Sequence, residues 1–279
     1  MKVVIKVALR RILTAAAIGA FALTAAIPAS ADQTEDQIGA QVYQQLAQKG
    51  EIINSSPDYN MLNPIAKRIK AVVDSQYDRP FRFILVHESQ PNAFSVPGGN
   101  VYVTDALLKF VKNKEELAGV LCHETSHTIH HDVVNNMKKD QNLSMLATGL
   151  SLLLGGRGGG LANAALSMGA NLQALNFSRE VETAADLKGS ETCAEAGYNP
   201  WGMVWLFKQF EKADTGGKME MLSDHPNDDH RIADLERHFK QNPALFGKFS
   251  SDIATATPLA EGYDRYATAP QTPSGEARP

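Results

Sequence analysis

Residues 123–127 of this 279-residue chain read His-Glu-Thr-Ser-His, and further along an acidic cluster reads Glu182-Thr-Ala-Ala-Asp186. On a helix, residues four apart share a face, so His123 and His127 aim two imidazole nitrogens at one point. Glu124 lies about 100° round the helix from His123 and stands beside that point. Two neutral imidazoles fill two corners of a zinc tetrahedron, and the adjacent carboxylate is placed to take a proton from an attacking water. A hydrolytic zinc keeps one corner open, so a third protein ligand is required.

The flanking residues favour a helix. Asn113 is a suitable N-cap with Glu116 three residues on, Leu117, Val120 and Leu121 form an apolar stripe, and no Pro or Gly interrupts Val120 to Met137. Glu180 and Glu182 compete for the third ligand position. Glu182 has Asp186 one turn along its own face, where a carboxylate can accept the free N–H of a ligating imidazole and fix its tautomer. Glu180 has only Ala184 there, so Glu182 is the expected ligand. His130 and His131 are not expected to join. Histidines at i, i+4 and i+8 climb about 12 Å along a helix, too far for bonds of about 2 Å to one ion.

Four blocks together carry a resemblance to a family. They are Asn92-Ala-Phe-Ser-Val-Pro-Gly-Gly99 with Val101-Tyr-Val-Thr104, the His123–His127 motif, Phe177-Ser-Arg-Glu-Val-Glu-Thr-Ala-Ala-Asp186, and Asp224-His-Pro226 followed by Arg231-Ile232. The chain resembles the CAAX-prenyl-protease-like, HtpX-like zinc metallopeptidases, a gluzincin family. The resemblance implies an α+β fold: a mostly helical zincin-type domain with a small sheet whose edge strand flanks the active-site helix. It implies one Zn2+ held by His123, His127 and Glu182, with Glu124 as general base. It also implies that His225 lies in a loop over the metal, as a reversible fourth ligand or as a donor to the developing oxyanion. Asn92, Ala93 and Phe94 are placed by the same likeness at the edge strand, where a substrate peptide adds as a further strand. Arg231 opens an expected helix striped by Ile232, Leu235 and Phe239; it can serve an active-site carboxylate or oxyanion, or a surface acid. Where family members often carry Arg-His, this chain has His131-Asp132, which leaves the ligands untouched and alters only contacts at that helix end.

The N-terminus has the form of a secretory signal over residues 1–31. Lys2, Lys6, Arg10 and Arg11 precede an apolar run from Ile12 to Ile27, and Ala29-Ser-Ala31 fits a small-residue cleavage site. A periplasmic protein beginning at Asp32 is expected. Losing four positive charges and no negative one takes the formal net charge from −4 to −8, which argues against nucleic acid as a partner. The catalytic domain is expected over 32–249, followed by a disordered tail over 250–279 rich in Ala, Thr, Pro and Gly. The two cysteines, Cys122 and Cys193, each lie near a ligand-bearing segment. In an oxidising compartment they can pair, or Cys122 can serve as a small buried apolar residue.

Helices are expected from Thr34, with Ile38, Val42 and Leu46 at four-residue spacing, and from about Pro57 to Ser75. Phe81–Val86 reads as a strand, and Asn92–Thr104 as a Pro-Gly-Gly turn leading into another. The segment 141–178 carries only one formal charge before Phe177, on Arg157; its apolar stretches Leu143–Leu154 and Leu161–Leu175 flank Gly155-Gly-Arg-Gly-Gly-Gly160. They suit either a hairpin with one side in the core or a lid that leans on a membrane or a hydrophobic client, giving peripheral membrane contact through 143–175. The expected activity is zinc-dependent endoproteolysis of unfolded or membrane-associated polypeptides. Its rivals are a client-binding chaperone with latent proteolysis and a non-peptide zinc hydrolase; the latter does not need an extended-strand groove.

Overall fold

The structure, a computed structural model, describes residues 31–139, 177–213, 225 and 229–259. The elements run α1 (Ala31–Gln48), α2 (Tyr59–Val73), β1 (Arg82–Val86), β2 (Ala93–Val96), β3 (Asn100–Thr104), α3 (Asp105–Phe110), α4 (Lys114–Ile129) and α5 (Asp132–Lys139). After 140–176 come α6 (Arg179–Glu195), α7 (Trp201–Ala213), α8 (Asp229–Gln241), the short α9 (Pro243–Phe246) and a 3-10 turn, Ile253–Thr255. This is an α+β fold, mostly helical, with one three-stranded sheet in the order β1-β3-β2. β1 runs parallel to β3 and β2 antiparallel to it, so β2 is an edge strand. Gly98 and Gly99, at φ 92° and 84°, make the tight turn between β2 and β3 that residues with a Cβ resist.

α4 is the axis of the domain. Every residue from Glu115 to Thr128 is buried, which a helix tolerates only when neighbours cover it all round. α6 and α7 cover one side, and α2 and the sheet cover the other. Asn113 caps its start, accepting a 2.8 Å hydrogen bond from Glu116 N. Leu117, Leu121 and Leu206 are fully buried in the main core beside Leu62, Ile65, Ile69 and Phe81. Each such side chain contributes about 1.5–3 kcal/mol relative to exposure. α4 and α6 lie backbone against backbone at Gly189, where a Cβ would come within 3.0 Å of His123 N.

The run from Val120 to Met137 does not stay one helix. α4 stops at Ile129 and α5 starts at Asp132, with His131 at φ 56° in the left-handed region between them. His131 Nδ1 lies 2.6 Å from Oε1 of the buried Glu35 on α1, a contact that holds this unfavourable backbone in place. At the other end of the chain, residues 250–259 are not a loose tail. Thr257 donates through N and Oγ1 to Glu115, both at 2.8 Å, and Lys114 N donates to Thr257 O at 2.9 Å. Trp205 Nε1 donates to Ser251 O at 3.0 Å, and Leu259 is buried in the main core. The folded unit therefore reaches Leu259; these specific partners outweigh a composition that reads as unstructured. The expected signal over 1–31 lies outside the described residues but for Ala31, as do the apolar stretches 143–154 and 161–175 and the tail from 260 onward. Among the described residues no helix is long and apolar enough to cross a membrane.

Candidate metal centre

α4 presents His123 and His127 on one face, α6 presents Glu182 from its first turn, and His225 reaches in from the loop before α8. Their ligand atoms lie within 4.8 Å of one another and all four residues are buried. His123 Nε2 is 3.0 Å from His127 Nε2 and 3.3 Å from His225 Nδ1. Glu182 places its oxygens 2.9 Å from His225 Nδ1, 3.6 Å from His123 Nε2 and 3.7 Å from His127 Nε2. A tetrahedron of bonds near 2.0–2.1 Å has edges of roughly 3.3–3.4 Å, in the middle of these separations. Three imidazole nitrogens and one carboxylate oxygen are also the donor types that zinc takes. The residues fit the ion.

Each α4 histidine turns its other nitrogen to a carboxylate. His123 Nδ1 stands 2.9 Å from Asp186 Oδ1, and His127 Nδ1 stands 2.9 Å from Asp132 Oδ2. The hydrogen bond to Asp132 orients His127 with Nε2 toward the shared point, and Asp186 lies in contact with His123 Nδ1. Arg231 forks onto Asp186 with Nε and Nη2, both at 2.7 Å, and sets Nη1 3.0 Å from Glu182 Oε2. Its guanidinium also lies 4.5 Å from the Phe207 ring centroid. Of the partners open to Arg231, an active-site carboxylate, an oxyanion or a surface acid, the structure shows it on the buried carboxylates Asp186 and Glu182. Glu180, the other contender for the third ligand, is exposed, and His130 and His131 point elsewhere.

The electrostatics follow from this packing. Burial lowers the His127 pKa well below its ordinary value, with His123 and His225 adding to the effect, so the ring is neutral as a ligand must be. Burial alone would raise Glu182, but His225, His123 and Arg231 together outweigh it and bring the carboxyl to about 2. Burial likewise opposes ionisation of Asp186, and the Arg231 fork and His123 override it to hold the group below the usual carboxylate range. Glu124 goes the other way: burial dominates and pushes its pKa up. Its Oε2 accepts from Ser95 N at 2.9 Å and its Oε1 lies 3.4 Å from His225 Nε2.

Ser95 belongs to edge strand β2. Thr104 N donates to Asn92 O at 3.0 Å, so the alternation of an antiparallel ladder turns the main-chain groups of Asn92 and Phe94 inward and those of Ala93 and Ser95 outward. Asn92 is buried and its N donates to Thr104 Oγ1, while the Phe94 ring stacks on Tyr102 with centroids 5.0 Å apart. Of the three residues expected at this edge, Ala93 is the one whose main chain turns away from β3, and it is itself fully buried. Sequence reasoning missed Asp132, Ser95 and Phe177, whose ring stacks on His127 at 4.5 Å. Asp132 had a signal, a carboxylate five residues past a ligating histidine; Ser95 and Phe177 had none beyond their place inside two of the family blocks.

A model of peptidase family M48 matches residues 59–238. The chain belongs to family M48. It is similar to the beta-barrel assembly-enhancing protease of Escherichia coli K12, 28% identical over 231 residues that make up 80% of this chain and 47% of that protein. The Yersinia pestis protein of the same name is 31% identical over 188 residues, 64% of this chain and 38% of that one. The mitochondrial metalloendopeptidase OMA1 of Schizosaccharomyces pombe is 30% identical over 176 residues, 62% and 50% of the two chains. The chain thus spans about half the length, or less, of these relatives. As an M48 member it carries a metalloendopeptidase domain that takes zinc.

Proposed function

We propose that this chain is an exported endopeptidase that cuts extended segments of unfolded, misfolded or envelope polypeptides in the periplasm. The observation that carries the reading is the convergence of four buried donor atoms on one point, with the Glu124 carboxylate and an edge strand beside it. His123, His127 and Glu182 would hold zinc, steadied by Asp186, Asp132 and Arg231. When bound, zinc polarises the scissile carbonyl and makes water a competent nucleophile near neutral pH.

The remaining work falls to this chain's own groups. Glu124 accepts a proton from the attacking water and hands it to the leaving amine; its raised pKa suits a carboxyl that must hold that proton between the two steps. The Ser95 N–H fixes Oε2, leaving Oε1 for the transfer. Edge strand β2 would be the strand to which an extended substrate adds through main-chain hydrogen bonds, whatever its sequence; the fully buried Ala93 and the Ser95 N–H, which is held by Glu124, are not open to it as they stand. His225 sits with Nδ1 among the ligand atoms, where it would take the position that a hydrolytic zinc leaves for solvent. We read this as a latched form from which His225 must withdraw before substrate is cut. The secretory form of residues 1–31 and the names of the bacterial relatives support an envelope location and envelope substrates.

The test is casein or misfolded-protein digestion alongside metal analysis, with and without chelator. Glu124→Gln is expected to keep about one zinc per chain and lose cleavage by about 100-fold or more; retained turnover would remove Glu124 from the chemistry. His225→Ala is expected to raise turnover. A fall of about 100-fold, the size of a lost oxyanion donor, would assign that role to His225 instead.

A further inference from the structure

The face of α6 that meets α4 reads, turn by turn, Glu182, Asp186, Gly189, Cys193: a ligand, a ligand's support, a bare point of backbone contact, and a sulfur. Opposite it on α4, Cys122 immediately precedes His123. The two cysteines are the only ones in the chain. Both are buried free thiols in the structure, at 0% and 1% exposure, and their Sγ atoms stand 2.6 Å apart. Non-bonded sulfurs do not settle at that separation, whereas a disulfide needs about 2.05 Å and facing Cβ atoms on closely packed backbones. Gly189 supplies the close packing: with no side chain there, α6 lies directly on the Cys122–His123 backbone.

We propose that Cys122 and Cys193 form a disulfide that ties the two ligand-bearing helices together beside the metal centre. Bond formation takes two thiols and a disulfide oxidant of the dithiol-carrier or oxidised-glutathione class. One cysteine thiolate attacks the oxidant's disulfide and releases one of its sulfurs as a thiol; the second cysteine then displaces the other. Two electrons and two protons leave the chain and the oxidant ends as two thiols. Because neither sulfur is reachable in the folded domain, the exchange occurs before α6 settles on α4. Once closed, the bond is shielded from reductants until the helices part.

The full chain, produced with access to an oxidising compartment, is unfolded in denaturant with an alkylating agent and weighed intact, with and without prior reduction. Without reduction it is expected to take up no alkyl group, and proteolytic mapping is expected to join the Cys122 and Cys193 peptides. After reduction it takes up two. Two alkyl groups without reduction, from chain that has also been refolded in a glutathione redox buffer, would overturn the proposal. The Cys122→Ala/Cys193→Ala double variant is expected to melt about 10 °C below the oxidised chain. The reduced wild-type chain is expected to match that loss, which separates the missing bond from the missing sulfur volume. A melting point unmoved by reduction would also overturn it.

Discussion

His123 and His127 sit one turn apart on the same helix face, yet they are steadied from opposite distances along the chain. Behind His123 stands Asp186 from α6, itself clasped by Arg231 from α8, so that three helices and a fully buried charge network fix one ring. Behind His127 stands Asp132, five residues on, just past the break between α4 and α5 and with its side chain 11% exposed. The remote support works only when the fold is complete, and then it is stiff and dry. The local one forms as soon as the chain turns at His131, but water reaches its carboxylate. A metal site built this way has one ring positioned by tertiary structure and one by a turn.

The sharpest way to break this contrast is Arg231→Leu. Removing the guanidinium strands Asp186 and Glu182 as buried carboxylates, and a loss of about 3–5 kcal/mol in urea unfolding is expected. A cost under about 1 kcal/mol would show that water already shares the charge behind His123. Next come the two supports themselves. Asp186→Asn and Asp132→Asn are each expected to weaken zinc binding in chelator competition by about 10–100-fold, Asp186 toward the upper figure and Asp132 toward the lower. The reverse order would mean that burial is not what gives a support its strength.

The smallest effect is one of slope. The folded pKa values of Glu182 and Asp186 are depressed, so their stabilisation is complete above the ordinary carboxylate range near pH 4 and is lost as pH falls through it toward about 2. The zinc-free chain should therefore show urea midpoints that drop below about pH 4.5, and Asp186→Asn should flatten that acid limb. An unchanged limb in the variant would place the titrating charge elsewhere.

The same contrast explains what was legible in the sequence. α4 was readable because its cap, stripe and histidine spacing are all local. The edge hairpin announced itself through Pro97-Gly98-Gly99, and Ile38, Val42 and Leu46 of α1 are indeed buried on one side. The break at His130–His131 was not readable, since no Gly or Pro marks it and the compensating contact comes from Glu35, 96 residues away. Without that break, Asp132 has no reason to be seen as a support for His127. α3, with only six residues, offered too short a pattern to register. The strap at 250–259 was hidden for the opposite reason: its composition suggests disorder, while its order comes from Glu115 and Trp205, partners that composition does not display. Of the site, the zinc donors announced themselves by residue type, and the Ser95 N–H could not, because a backbone donor has no letter in the sequence.

That strap has a consequence for the order in which the protein is made. Glu115 opens the helix that carries the first two ligands, and its partner Thr257 is synthesised 142 residues later. Arg231 and His225 also emerge long after that helix. A chain still on the ribosome therefore has its cutting edge unassembled, and the blade closes only once residue 257 has emerged.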